Sequence, residues 1–139
     1  MEEARYPRMV VDLQKLRSNI EHMMGLCQEQ GIEVAGVIKG CSGIPECAQQ
    51  FADAGCRFIA SSRLEQLTAA KKYDVQTEFM MIRLPMISEV ADVVRITDIS
   101  LNSELETLKA LNMEAGLQDK MHRVILMVYL VDLREGFRT

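Results

Sequence analysis

Apolar residues along the chain form two alternating patterns, short continuous runs and stripes at helical spacing. The clearest run covers residues 34–38, follows the helix-ending Gly31, and is typical of a strand buried on both faces. An apolar stripe at helical spacing precedes it and begins after Asp12, which suits a helix N-cap. Repetition of this order predicts an α/β fold of successive strand–helix units with parallel strands.

Turn and cap residues set the boundaries of the predicted elements. Pro45 should open a short helix, another helix should cover residues 64–72, and Ser103 with Glu106 should form a capping box. About six βα units result, fewer than the eight of a closed barrel, which usually has about 250 residues. We therefore expect residues 1–139 to be the N-terminal part of an incomplete (β/α)8 TIM-type barrel, and a fragment of a longer protein. Strands are predicted at residues 8–11, 34–38, 57–60, 78–84, 98–101 and 123–131.

The amino-acid composition limits the kinds of ligand and macromolecule that the protein is expected to bind. The chain is 48% apolar and 26% charged with a net charge of −4, which is globular and offers no basic surface for nucleic acid. No apolar stretch reaches the roughly 18 residues of a membrane span, and the charged N-terminus lacks a signal core. We expect a cytoplasmic protein that acts on small molecules, and unpaired strand edges predict a homo-oligomer. The four cysteines lack metal-site spacing, so no metal is expected.

Candidate chemistry lies where the predicted strands end. Lys39 closes the run 34–38, at the edge where α/β barrels place their active sites, although a solvated strand end is the alternative. Arg134 follows the sixth predicted strand, and a simple surface turn is equally compatible with it. Arg63, Arg83 and Asn102 lie at the ends of the intervening strands. Together these side chains suggest a pocket for an anionic ligand.

Several segments, in one order along the chain, match a known family. The matching segments are residues 6–13, 34–39, 59–63, 83–85, 99–104 and 132–136. They resemble the N-terminal barrel of the alanine racemase family of pyridoxal-phosphate (PLP) enzymes, and more closely its ornithine-racemase-like branch. The resemblance covers nearly the whole chain.

The resemblance implies a cofactor, an activity and site residues. Lys39 matches the lysine that carries PLP as a Schiff base and serves as one acid/base group at the substrate α-carbon. Arg134 matches an arginine that contacts the cofactor and helps to orient the substrate. The complete protein would then be an isomerase that racemises a small amino acid, and a second group opposite Lys39 would return the proton.

The chain departs from the family pattern in ways that keep alternatives open. Alanine racemases carry an aromatic, histidine-containing run where this chain has Gly40-Cys41-Ser42-Gly43, and Tyr129 and Val131 replace an Asp and a Gly of the ornithine-racemase-like branch. The family's later phosphate-binding loops and C-terminal β domain have no counterpart here, so we expect this chain alone to be inactive. The alternatives are a non-catalytic PLP-binding protein that maintains cofactor levels and an inactive truncated product.

Overall fold

A computed structural model describes residues 7–130 and 136–137 of the chain, and this part contains five strands and five α-helices. Short 3-10 turns cover Ile38–Cys41 and Ile87–Glu89. The strands are β1 (Ala35–Val37), β2 (Phe58–Ser61), β3 (Glu78–Met81), β4 (Ile99–Asn102) and β5 (Arg123–Leu126). The helices are α1 (Leu13–Gln28), α2 (Pro45–Asp53), α3 (Leu64–Lys72), α4 (Val90–Ile96) and α5 (Leu105–Leu117).

All five strands belong to one sheet, in which each strand pairs in parallel with the next strand of the chain. The order β1-β2-β3-β4-β5 never reverses, whereas a doubly wound sheet reverses its order at a switch point. A sheet that grows in one direction is the arrangement from which (β/α)8 barrels are built. The predicted α/β class, with the parallel strands of an incomplete barrel, is therefore confirmed.

The face of the sheet turned away from the helices is concave. Arg123 on β5 reaches across β4 to Glu78 on β3, with 2.6 Å between Nη2 and Oε1. The same guanidinium lies 5.7 Å from the ring centre of Phe58 on β2. In a flat sheet β2 and β5 would be about 14 Å apart, so strands that curve toward one another favour these contacts. The curvature agrees with part of a barrel wall.

Helices pack on the other face of the sheet and form the main core with it. Ile38, Ile59 and Met81 are fully buried there, together with Val93 and Val94 of α4. Gly36 of β1 allows α2 to approach closely, because a Cβ at this position would lie 2.6 Å from Cγ of Phe51. No helix within the described ranges is long and apolar enough to cross a membrane.

Two lysines stabilise the C-terminal end of α4. Lys71 of α3 donates to the carbonyl oxygen of Ile96 at 3.1 Å, and Lys120 donates to those of Val94 and Thr97 at 2.7 and 2.8 Å. The last carbonyls of a helix lack partners within it and carry partial negative charge, so ammonium groups bind there favourably. These contacts join α4 to α3 and to the turn after α5.

The predicted first strand, at residues 8–11, is wrong. These residues form no strand in the structure, and Met9 and Val10 are 60% and 77% exposed. A short apolar run forms a strand only where a neighbour pairs with it, and the described sheet begins at β1. The prediction that Asp12 caps the following helix is confirmed, since its Oδ1 accepts from the backbone N–H groups of Gln14 and Lys15.

Further boundaries differ from the sequence predictions. The strand predicted at residues 78–84 ends at Met81, and the last described strand ends at Leu126. Met127 still donates to Asn102 O at 2.9 Å, and Val128 forms an isolated bridge with Phe137. The capping box at Ser103 is also wrong, because α5 begins at Leu105 after an N-cap residue, Glu104, that makes no side-chain cap. Ser103 is buried beside the end of β4, so packing there decides where the helix begins.

Gly36→Ala should destabilise the fold, because the new Cβ would overlap the Phe51 ring and force α2 away from the sheet. We expect the free energy of unfolding in urea to fall by about 1–3 kcal/mol. Gly25→Ala is the matched control: this exposed position in α1 has no atom within 4 Å of the added Cβ. The control should gain about 0.5–1 kcal/mol. Equal effects of the two substitutions would contradict the packing argument.

Candidate functional site at the C-terminal edge of the sheet

The C-terminal ends of the strands carry the polar side chains that the sequence singled out. Lys39 follows β1, Arg63 follows β2, Arg83 follows β3, and Asn102 is the last residue of β4. Because the strands are parallel, all four positions lie at one edge of the sheet. Arg134, by contrast, lies outside the described residues.

Lys39 lies in the 3-10 turn Ile38–Cys41, directly after β1. Ile38 is fully buried in the core beneath the helices, whereas Lys39 is exposed. Backbone hydrogen bonds close the turn, from Gly43 N to Ile38 O at 2.9 Å and from Ser42 N to Lys39 O at 3.2 Å. The buried Ile38 thus fixes the backbone next to Lys39, whose primary amine is exposed at the C-terminal ends of the strands.

The end of this turn packs against α3. Gly43 has a φ of +72°, and a Cβ there would lie 2.4 Å from Cγ of Gln66, so both conformation and space require glycine. Gln66 is buried, and its Oε1 accepts a 2.6 Å hydrogen bond from Ser61 Oγ at the end of β2. Ser61 Oγ in turn accepts from the backbone N–H of Arg63. The β2–α3 connection therefore holds the turn that carries Lys39.

Arg63 is the N-cap residue of α3 and is exposed at the same edge as Lys39. The two residues follow adjacent strands, since β1 pairs with β2 from Ala35–Phe58 to Val37–Ala60. A guanidinium is permanently charged and binds carboxylates or phosphates through paired donors. Arg63 and Lys39 thus place two cationic side chains on neighbouring strand ends.

Arg83 is engaged by the protein itself. Its Nε donates to Ser62 O at 2.7 Å, its Nη2 donates to Glu89 Oε2 at 2.9 Å, and its Nη1 also bonds Glu89. The Arg83 guanidinium lowers the pKa of the Glu89 carboxyl. These contacts link the β2–α3 connection to the segment before α4, so Arg83 orders the edge of the sheet. A pocket-lining role for Arg83 stays a prediction.

Asn102 is fully buried on the helix-facing side of β4. Its Nδ2 lies 3.0 Å from both O and Oγ of Ser100, and Ser100 Oγ lies 2.8 Å from Nε2 of His122. Burial lowers the pKa of His122. His122 lies directly before β5, and no local pattern in the sequence indicated its contact with Ser100. Contact of Asn102 with a ligand stays a prediction.

A groove of about 800 Å³ lies away from these strand ends, between α5 and the turn into β5. Its lining includes Leu111, Ala115, His122 and Val124, and Lys39 and Arg63 take no part in it. The groove is on the helix-facing side of the sheet, whereas barrel chemistry lies at the carboxyl ends of strands. We therefore locate the candidate site at the strand ends. No cluster of potential metal ligands occurs within residues 7–130 and 136–137.

The sequence from residue 11 to residue 139 matches the family described as "Alanine racemase, N-terminal domain". The chain belongs to this family. Family membership agrees with the one-directional parallel sheet.

Two curated relatives share much of the sequence. The chain is 42% identical to an ornithine racemase of Acetoanaerobium sticklandii over 95% of its length, and 30% identical to a lysine racemase of Thermotoga maritima over 94%. In both cases the match covers 37% of the relative. The chain thus spans a little over a third of the length of these curated relatives.

Solved structures show the same fold at low sequence identity. A D-threonine aldolase from Filomicrobium marinum superposes with a TM-score of 0.81 and 11% identity over 96% of this chain and 37% of that one. PipY from Synechococcus elongatus, with PLP bound, superposes with a TM-score of 0.73 and 16% identity over 86% of this chain and 58% of that one. Both likenesses concern the fold alone.

The Arg83–Glu89 pair should make stability depend on pH. Because Arg83 lowers the pKa of Glu89 below its ordinary value of 4.5, the ionised carboxylate stabilises the fold above that pH. The contribution is lost as the pH falls through the lower folded-state value. Glu89→Gln should cost about 1–3 kcal/mol in urea unfolding near pH 7, and this deficit should shrink near pH 3.

Glu106→Gln is the control for this measurement, because Glu106 forms an exposed pair with Lys109 within α5. It should change the free energy of unfolding by less than about 0.5 kcal/mol at neutral pH. A Glu89→Gln deficit of the same size at both pH values would show that the carboxylate charge is not responsible.

Proposed function

We propose that this chain supplies the lysine-bearing part of a PLP-dependent racemase that acts on a basic amino acid, with Lys39 as the cofactor lysine. The observation that carries the proposal is the exposed amine of Lys39 directly after β1, at the C-terminal edge of a sheet of this family. Family membership and the ornithine and lysine racemase relatives support it.

The described residues fit the chemical demands of PLP. Its aldehyde requires an accessible primary amine, and Lys39 is exposed on a turn whose ends are fixed by Ile38 and Gly43. Its anionic groups require cationic or N–H donors, and Arg63 is exposed on the neighbouring strand end. Lys39 would hold the cofactor covalently and Arg63 would attract its charge, while Arg134 is proposed to contact the ring.

The chain's own contribution to catalysis would be to position and move a proton. When bound, the cofactor supplies an electron sink for the α-carbon of the substrate. Lys39, as a primary amine, would accept the α-proton on one side of the substrate or return it there. Racemisation also needs a group on the opposite side, and we propose that the remainder of a longer protein supplies it.

The hydrogen bonds around Lys39 explain how its amine would be held in place. Gln66, fixed by Ser61, packs on Gly43, and Ile38 fills the core on the other side of the turn. A catalytic base must stay within hydrogen-bonding reach of the proton that it abstracts, so a fixed turn reduces the misplacement of its side chain. These contacts supply that restraint within the chain itself.

The proposed substrate is ornithine or lysine rather than alanine, since the two curated relatives are named for those amino acids. The sequence after Lys39, Gly40-Cys41-Ser42-Gly43, also lacks the aromatic run expected of alanine racemases. We further propose that the chain is the first part of a larger barrel protein, that it functions in the cytoplasm and that it assembles as a homo-oligomer. The coverage of only 37% of each relative supports the first of these.

Lys39→Ala should abolish covalent capture of PLP. Protein incubated with PLP and reduced with borohydride should carry a cofactor adduct on the peptide that contains residue 39, as read by mass spectrometry. Lys15→Ala is the control, because Lys15 is a highly exposed amine in the first turn of α1. An adduct spread over several lysines, or one that survives Lys39→Ala, would refute the assignment.

The activity is tested separately, on the longer protein that we propose contains this chain, by following the optical rotation of L-ornithine, L-lysine and L-alanine after loading with PLP. Loss of rotation for a basic amino acid, absent in Lys39→Ala, is the expected result. Cofactor bound at Lys39 without loss of rotation for any of the three would instead point to a non-catalytic PLP-binding protein. Alanine as the best substrate would contradict the proposed specificity.

A further inference from the structure

The side chain of Gln66 connects the two cationic strand ends of the candidate site. It packs on Gly43, two residues beyond the 3-10 turn that contains Lys39, where an added Cβ would lie 2.6 Å from Cβ of Gln66. Gln66 Oε1 accepts from Ser61 Oγ at 2.6 Å, and Ser61 Oγ accepts from the backbone N–H of Arg63 at 3.1 Å. The contacts from Gly43 through Gln66 and Ser61 to Arg63 therefore form one continuous series.

Both side chains in the middle of this series are shielded from water. Ser61 is fully buried, and Gln66 is 9% exposed. Leu67, the next residue of α3, is fully buried in the main core and fixes the backbone beside Gln66. A buried hydrogen bond is stronger than one in water, and loss of either partner leaves the other unsatisfied. The Ser61–Gln66 bond therefore holds the Gln66 side chain in one position.

The directions of the hydrogen bonds give each group of the series a separate role. A hydroxyl has one hydrogen to donate, and Ser61 gives it to Oε1 of Gln66 while its oxygen accepts from the N–H of Arg63. An apolar side chain at position 66 could fill the same space but could not accept this hydrogen. The polar pair thus ties the β2–α3 connection to the turn of Lys39 in a way that packing alone does not require.

We propose that Gln66 is a positioning residue, which keeps the turn of Lys39 and the backbone of Arg63 in a fixed relative placement. The N–H of Gly43 donates to Ile38 O at 2.9 Å, so a restraint on Gly43 reaches the residue directly before Lys39. At the other end of the series, Arg63 is the N-cap residue of α3, and its N–H is held by Ser61. Gln66 acts on the two cationic residues through their backbones.

The consequence for cofactor capture rests on the proposed function, whereas the link between the two strand ends does not. Capture of PLP would need the amine of Lys39 and the guanidinium of Arg63 to meet the same molecule. A fixed relative placement removes part of the entropy that is lost when both groups engage one ligand. Loss of the link should therefore weaken the binding of PLP.

Amide hydrogen exchange in the complete protein, read at single residues, tests the link. Ser61→Ala should speed exchange of the Gly43 N–H about 3- to 10-fold, because Gln66 loses the donor that holds it. The same substitution should add little in a Gln66→Ala background, where the link is already broken. Unchanged exchange at Gly43 in Ser61→Ala, or an equal increase in the Gln66→Ala background, would overturn the proposal.

Variants at position 66 separate the hydrogen bond from packing. Gln66→Glu keeps an acceptor oxygen whether its carboxyl group is ionised or protonated, so exchange at Gly43 should stay slow. Gln66→Met has a similar length but no oxygen, and it should reproduce the faster exchange of Ser61→Ala. Equal exchange rates in the Glu and Met variants would show that packing alone holds the turn, which contradicts the proposal.

The affinity for PLP tests the consequence of the link. A titration followed by the absorbance of the Schiff base should give a dissociation constant about 3- to 10-fold higher in Gln66→Met than in the wild-type protein. Thr68→Val is the matched control on α3, because Thr68 Oγ1 donates to Leu64 O within the helix at 2.9 Å. This control should leave both the dissociation constant and the exchange at Gly43 unchanged.

The two kinds of measurement separate this proposal from the proposed function. If exchange follows the expected pattern but the wild-type protein captures no PLP at Lys39, the proposed function fails and the link stands. If PLP is captured at Lys39 and Gln66→Met binds it as tightly as the wild-type protein, Gln66 is not a positioning residue and the proposed function stands.

Discussion

Burial of one face of the parallel sheet beneath the helices is the interaction on which the other features of this structure depend. Ile59 of β2, Met81 of β3 and Ile38, directly after β1, project into one core with α4. Because the strands run in the same direction under this layer, every strand-to-helix connection leaves the sheet at the same edge. Lys39 and Arg63 lie at the ends of neighbouring strands because of this packing and not because of their separation in sequence.

Charged side chains are paired at one end of the sheet and exposed to solvent at the other. At the N-terminal end, Glu78 is paired with Arg123 and lies near Arg57, and these contacts hold the concave face together. At the C-terminal edge, Lys39 and Arg63 are exposed to solvent. Paired charges at one end link neighbouring strands, whereas the cationic groups at the other end are accessible to solvent. This division is the usual one in (β/α)8 barrels.

Two glycines allow neighbouring helices to pack closely against the segment that contains Lys39. Gly36 lets Phe51 of α2 contact the strand, and Gly43 lets Gln66 of α3 contact the end of the turn. The backbone before and after Lys39 is therefore fixed by two different helices.

Local signals in the sequence determined the helices and the candidate lysine. Helix α3 covers residues 64–72 as predicted, α2 begins at Pro45, and Asp12 caps α1, since caps and apolar spacing act within a few residues. Tertiary structure alone decided that residues 8–11 form no strand and that α5 begins at Leu105. It also decided the contacts of Gln66 and His122. Strand pairing and contacts between elements depend on which distant surfaces meet, and no local pattern in the chain encodes that.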